Sequence, residues 1–547
     1  MRILFAALHP GYFQNFDSVI EELARRGHDV YLGFERPDLT GAGEALVGRL
    51  RTAWPALRFG PVPSREAESA FLIAKIRLGL DYLRYLDPIY PSTSFLPGRA
   101  RWRAPTGFVR LTELPVLRSP QGRRAMGRVL NAMDRANPAS PAIEQFLDEC
   151  QPDLVVVTPL IGLAGTSQLD LLRSAQARRI RTVIPIYSWD HLSSKAIIRD
   201  VPDAVFVWNH AQQQEAVEMH GVPADRIVVT GAQCFDRWFG RSPSRGRAEF
   251  MRHAGLLDER PYVLWVCSTL LQGGPPEPDV AMRWLQHLRA SPDPRIRDVA
   301  VLIRPHPHRA SDWDGIDWRS LGRVTLFGDA PVTEASRLDY FDSLYHSAAV
   351  VGITTTAFLD AAVVGRPVMT IFFDEVRQEH EGSLHFQLLM KFAGGLMTAA
   401  HSLEEHEQQL AAMLEGPPPD VVARVRHFVG AFVHPCGWDV PATTVFADAL
   451  ERVGGSPAAI AAGPRRVSPA ARLGLRALRA IEQRPGLRHL LLNEREAANA
   501  MQVDEMLRLR QKALDRKQAQ RARKARMVAR QARRAFWSRA VKRLLFR

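Results

Sequence analysis

Residues 352–372, GITTTAFLDAAVVGRPVMTIF, decide how this chain is read. The stretch predicts a hydroxyl-rich loop, a helix, a Gly turn and a buried strand. Thr354, Thr355 and Thr356 stand at the start of the helix, where free backbone N–H groups and the positive end of the helix dipole suit a phosphate. Asp360 lies further along the helix, within reach of the ribose of a nucleotide. Gly365 ends the helix, and Pro367 follows too soon for it to resume. Residues 368–373 are an apolar, strand-like run.

Working outward, the same alternation of strand and helix recurs. Residues 2–8 read as a buried strand and 9–13 as a loop. Residues 16–26 read as a helix with Phe16, Val19, Ile20 and Leu23 on one face, and 29–34 as the next strand. GxGxxG is absent, so this βαβ opening lacks the dinucleotide fingerprint. Residues 60–140 are rich in Arg, Pro and aromatics and read as a helical and loop insertion. Strand-like runs return at 153–159, 182–186, 204–208 and 227–230, with a helix at 212–220. A second set occupies 262–266, 299–303, 324–327, 349–353 and 368–373. Such alternation argues for parallel, doubly wound sheets. The Arg- and Ser-rich residues 240–247 separate the sets, and the Ala-, Gly- and Pro-rich residues 456–468 mark a further boundary.

Several strand ends carry residues suited to chemistry, as the ligand-binding side of a parallel sheet requires. Arg304, Pro305, His306, Pro307 and His308 close one strand. Arg304 is a natural partner for phosphate oxygens, and His306 suits phosphate binding or protonation of a leaving group. His9, Pro10 and Gly11 close the first strand. His9 is a candidate base, and Gly11 lets backbone approach a ligand. Asp190, beside His191 in the run YSWDH, is a second candidate base or a helix cap. Gly231 closes the last strand of the first set. Asp374, Glu375, Glu379, His380 and His385 mix acids with histidines, but their spacing matches no standard metal motif, so no metal is expected.

With these residues in view, the chain resembles the two-domain Rossmann-like glycosyltransferases of GT-B type. Their donor-site pattern of an acid, Ala, Gly, Pro and Val is met by Asp360, Ala361, Gly365, Pro367 and Val368. The family usually has Glu where Asp360, one methylene shorter, stands. The Arg-Pro-His-Pro turn at 304–307 resembles that of GT-B enzymes building envelope polymers, namely the CDP-glycerol and capsule polysaccharide transferases. The segment VPADRIVVTG, ending at Gly231, resembles the approach to the family's hinge. The resemblance covers residues 1–455. It implies an α/β fold of two Rossmann-like doubly wound domains: 1–240 for the acceptor, with 60–140 inserted, and 248–455 for the donor. It further implies a nucleotide-sugar or CDP-polyol donor held by Arg304, His306, Thr354, Thr355, Thr356 and Asp360. The acceptor would be a glycan or lipid-linked molecule, with His9 or Asp190 as base, Gly11 and Gly231 in cleft loops, and no cofactor. UDP-sugar 2-epimerases share the fold, but they usually carry Gly-Gly where Thr356-Ala357 stands here. A non-catalytic, membrane-associated scaffold is the alternative from another class.

Composition narrows the setting. Of 547 residues, 72 are Lys or Arg and 58 Asp or Glu, a net +14. Residues 508–547 hold sixteen of those bases and one acid, leaving 56 bases and 57 acids elsewhere. The body is therefore neutral, and 456–547 reads as a linker followed by a strongly basic helical tail. There Trp537, Val541, Leu544 and Leu545 make an apolar stripe beside a basic face, the profile of a helix lying on an anionic membrane. Nucleic acid is the lesser expectation. The four scattered cysteines form no CxxC, and no stretch nears the length of a membrane span. Residues 1–13 do not read as a signal peptide. The expected location is the cytoplasm, peripheral to the inner face of the plasma membrane.

Overall fold

Strand β4 (Leu154–Thr158), LVVVT, is buried along its whole length, as a central strand of a parallel sheet covered on both faces must be. The structure, a computed structural model, describes residues 1–38, 41–90, 96–160, 167–256, 260–268, 276–376, 380, 383–456 and 468–499. Around β4 lie β1 (Arg2–Ala7), β2 (Asp29–Phe34), β3 (Arg58–Pro61), β5 (Arg181–Pro185), β6 (Ala204–Val207) and β7 (Ile227–Val229). Their order is β3-β2-β1-β4-β5-β6-β7, and every pairing is parallel.

The second sheet repeats the plan. It contains β8 (Tyr262–Val266), β9 (Ala300–Arg304), β10 (Val324–Leu326), β11 (Ala349–Gly352), β12 (Val368–Ile371) and β13 (Thr398–Ala400). The order is β10-β9-β8-β11-β12-β13, again all parallel. In each sheet the strand order reverses once, at β1/β4 and at β8/β11. Those switch points are where ligands enter open α/β sheets. This is the α/β architecture of two Rossmann-like doubly wound units that defines the GT-B arrangement. The short edge strands β3 (RFGP) and β13 (TAA) escape the sequence reading, because half-covered edges need no apolar run.

Chain order and spatial order part at the C-terminal end of the second unit. The helix Ala442–Gly455, which the division at 455 groups with the donor domain, buries Phe446, Ala447 and Leu450 in the core of the first unit. Phe446 packs against Phe16 at 5.9 Å and Phe206 at 5.0 Å between ring centres. Asp236, in the turn Gln233–Trp238 that joins the units, caps this helix by accepting from Ala442 N at 3.2 Å and Thr443 N at 2.6 Å.

The insertion is helical, with Ala67–Tyr85 and Pro120–Arg135 as its longest members. A buried chain of charges fastens it to the first unit. Arg65 and Arg77 share Asp170, Arg77 and Arg173 share Asp134, and Arg173 reaches Asp200, at 2.7 to 2.9 Å. The helix Pro469–Gln483 then covers the insertion, packing Leu475 and Leu478 beside Leu72, Ile76 and Leu130. Residues 468–499 are thus part of the body rather than a free linker. The basic stretch 508–547, with Trp537, Val541, Leu544 and Leu545, lies outside the described residues. Among the described residues no helix is long and apolar enough to cross a membrane.

Candidate functional site

The cleft between the units, about 530 Å³, is lined by Tyr187 and Ser188 from the first sheet's strand ends and by Tyr340, Thr356 and Asp360 from the second unit. Asp360, on the helix Ala357–Val363, faces it half-buried and accepts a hydrogen bond from the Tyr340 hydroxyl at 2.6 Å. Burial raises its pKa to about 6, with the Tyr340 hydrogen bond and the Arg237 charge pulling the other way.

Arg304 supports this pair from behind. It is buried, stacks over the Tyr340 ring at 4.8 Å and donates from Nη2 to the Asp329 carbonyl at 2.8 Å. Gly328, at φ +99°, makes room for it, since a Cβ there would stand 1.9 Å from Nη1. Nη1 itself is buried without a protein partner. Arg304 therefore sits beneath the cleft wall rather than among the residues that line it. His306, just beyond β9, is half-buried, and its carbonyl accepts from Arg309 N at 2.8 Å. The side chain of His308 lies outside the described residues.

The three threonines divide their tasks. Thr354 N donates to the Ser268 hydroxyl at 3.2 Å, tying the loop to the end of β8. Ser268 N in turn donates to Glu277 at 2.7 Å. Thr355 Oγ1 weakly caps Ala357 N at 3.4 Å. Thr356 Oγ1 accepts from Trp189 Nε1 at 3.1 Å, a direct bond from the second unit to the first.

Trp189 leads to Asp190. That carboxylate accepts from Ser188 Oγ at 2.5 Å and Ser194 Oγ at 2.9 Å, and pairs with Lys195 Nζ at 3.2 Å. Burial opposes its charge, yet Lys195, His385 and Ser188 together hold it well below the usual carboxylate range. A carboxylate stabilised in this way is a weak base. Its neighbour His191 turns away, buried with its ring edge-on to Tyr187 at 4.2 Å, and burial drives its proton off. Arg84 and Tyr85 of the insertion donate to the Lys195 carbonyl, and Arg99 donates to that of Ser194, so the insertion sets the position of this loop.

His9 stands just before the turn Pro10–Asn15 without a side-chain capping bond, its ring 4.5 Å from that of Tyr12 and its Nδ1 3.9 Å from Asp38. Burial lowers its pKa against the pull of Asp38, so the imidazole is neutral near pH 7. Gly11 is crowded by the His9 ring and Asp38, and a Cβ would meet both at 3.0 to 3.1 Å. Gly231 serves packing instead: at φ +81° it faces Ala442, whose Cβ an added Cβ would meet at 2.8 Å.

The acid–histidine cluster disperses. Glu375 pairs with Arg283, while His380 is buried against the Ile353 carbonyl at 3.1 Å. His385 packs edge-on to the Trp189 ring at 4.9 Å, where burial lowers its pKa to about 4. Glu379 lies outside the described residues, among which no group of three His, Cys, Asp or Glu is placed to hold a metal. The sequence reading passed over Tyr340, Trp189 and Lys195. Tyr340 is twenty residues from its partner Asp360, and nothing local marks it.

No family model matches the chain, and no curated protein is similar to it at a significant level. Solved structures of similar shape include a UDP-GlcNAc 2-epimerase from Neisseria meningitidis bound to UDP-GlcNAc, 10% identical over 83% of this chain and 100% of that one, with a TM-score of 0.46. A glycosyltransferase from Rickettsia africae is 9% identical over 83% and 98%, with a TM-score of 0.46. A variant of a wall teichoic acid polymerase is 9% identical over 83% and 89%, with a TM-score of 0.41.

Proposed function

We propose that this chain is a GT-B transferase that moves a sugar, or a polyol phosphate, from a nucleotide-linked donor to a glycan or lipid-linked acceptor in cell-envelope polysaccharide synthesis. One observation carries the reading. Thr356, Asp360 and its partner Tyr340, all from one Rossmann-like unit, line a cleft with Tyr187 and Ser188 from the strand ends of the other. In this reading Asp360 accepts from the donor ribose, and Thr355 contacts its phosphates. Arg304 holds Tyr340, and through it Asp360, in place. His306 protonates or steadies the leaving phosphate, and fixed dipoles around it offset the developing charge. His9, neutral and at the opposite strand end, takes the acceptor proton in preference to Asp190, whose charge is already neutralised by Lys195. The basic stretch 508–547 would hold the enzyme at an anionic membrane where its acceptor resides.

The test is a thermal-shift panel of UDP, GDP, CMP, CDP and ADP on wild type, Thr355→Ala and Asp360→Ala. A ligand that binds only the folded state raises the melting temperature. One nucleotide should shift wild type and leave the variants unmoved. No shift with any nucleotide, from a folded protein, removes the proposal.

A further inference from the structure

The cleft holds cations that the transfer reading leaves unused. Arg237 comes from the connecting turn Gln233–Trp238, Arg337 from the helix Glu334–Tyr345 and Arg49 from the helix Ala42–Ala53, and all three line it. Asp17 is buried at their centre. Its Oδ2 accepts from Arg237 Nη1 at 3.0 Å and from Arg49 Nη2 at 3.1 Å, and Arg49 also donates to Glu21 at 2.5 Å. Arg337 is outside this arrangement. It is half-buried and donates Nε to the Pro331 carbonyl at 3.3 Å, with no carboxylate of the described residues paired to it. The other charges facing the cleft are Asp360 and the pair Arg241–Glu334, 3.7 Å apart.

A guanidinium drawn partly out of water beside two others, without a counter-ion of its own, is costly. Burial first, then the charges of Arg237 and Arg49 against the opposing pull of Asp17 and Glu334, lower the proton affinity of Arg337. An anion seated between Arg337 and Arg237 would remove that cost, and the planar fork of each guanidinium suits a two-oxygen ligand. We propose that Arg237 and Arg337 form a subsite for an anionic group, phosphate or carboxylate, of the ligand that occupies the interdomain cleft. Asp17 is its positioning residue, holding Arg237 in place from below. The inference rests on the cleft being a ligand site, as in the proposed function, and adds the charge of the ligand. The group belongs either to the phosphates of the donor or to an acidic acceptor.

Isothermal titration of wild type, Arg337→Gln and Arg237→Gln distinguishes these sources, with inorganic pyrophosphate, UDP, CDP, glucuronic acid and uncharged uridine as probes. Wild type should bind pyrophosphate or glucuronate, and each variant should lose at least about tenfold in that affinity while treating uridine as wild type does. Parallel losses for pyrophosphate and a nucleoside diphosphate assign the subsite to the donor. A loss for glucuronate alone assigns it to an acidic acceptor. Equal affinities in all three proteins, or no anion bound by wild type, overturn the inference. So does a lower melting temperature of ligand-free Arg337→Gln, because a residue awaiting an anion leaves the empty protein no less stable when removed. Anion binding that depends on Arg337, with no nucleotide response from wild type, would retain the subsite and reject the nucleotide-donor reading alone.

Discussion

At the scale of single residues, Asp360 ties function to stability. Its carboxyl titrates near 6 when folded because burial opposes the charge, against about 3.9 for a free aspartate. A folded value above the unfolded one means that its stabilising contribution is full below about pH 4 and is lost as pH rises through about 6. Asp360→Asn cannot ionise, so it should melt above wild type at pH 8, with the difference fading toward pH 4. Two pKa units correspond to about 3 kcal/mol, which the residue's remaining solvent contact reduces to roughly 1–2 kcal/mol. Calorimetry of both proteins across that range checks this, and a variant less stable at pH 8 contradicts it. Nucleotide affinity should move the opposite way, falling in the variant and, in wild type, below pH 6. His9 gives a second prediction. As a neutral base it should set the acid limb of the kcat/KM profile at a pH below the ordinary imidazole value of about 6.5. His9→Gln should lower turnover about 100-fold or more with little change in KM. A profile unchanged by the substitution would exclude His9 as the base.

At the scale of elements, the insertion is held by buried charge as well as by apolar packing. Asp134 is fully buried between Arg77 and Arg173; burial opposes its charge, but the two arginines hold the carboxyl far below its usual range. Removing it leaves Arg77 with Asp170 alone, which Arg65 shares, and Arg173 with Asp200 alone, so Asp134→Ala should cost about 2–3 kcal/mol in denaturant unfolding. A loss under 1 kcal/mol would mean that the network is solvated in solution. The helix Pro469–Gln483 is held differently, by an apolar face. Leu475→Ala should cost about 2–4 kcal/mol and increase hydrogen exchange in the helix Ala67–Tyr85 before the β-sheets respond. Because the helices Ala67–Tyr85 and Leu96–Arg103 donate to the Lys195 and Ser194 carbonyls, loosening the insertion also loosens the loop that carries Asp190.

At the scale of the whole molecule, two units share one helix and one cleft. The Trp189–Thr356 hydrogen bond closes the cleft directly, at 3.1 Å. Trp189→Phe keeps the packing and removes the donor, so the ligand-free protein should open, with a larger radius of gyration in solution scattering. A bound nucleotide should restore the wild-type value. An unchanged radius in the free variant would show that the helix Ala442–Gly455 and the connector alone fix the angle between the units.

The sequence by itself determined the strands that are apolar on both faces, because a parallel strand buried between helices needs a continuous apolar run that no loop imitates. It also determined the repeated plan of two sheets, and the strand ends where His9, Asp190, Arg304 and Thr354–Thr356 stand, since those follow from chain order and parallel topology. Tertiary structure alone decided what those residues touch. Arg304 stacks on Tyr340, Asp190 pairs with Lys195, and Thr356 meets Trp189 across the cleft. Each partner lies on a different turn or a different unit, and hydrogen bonds and ring contacts depend on distance in space, which local periodicity does not encode. The same reason hid the return of Ala442–Gly455 to the first unit and the arginines around Asp17: a helix's apolar face shows that it docks, and only the assembled core shows where.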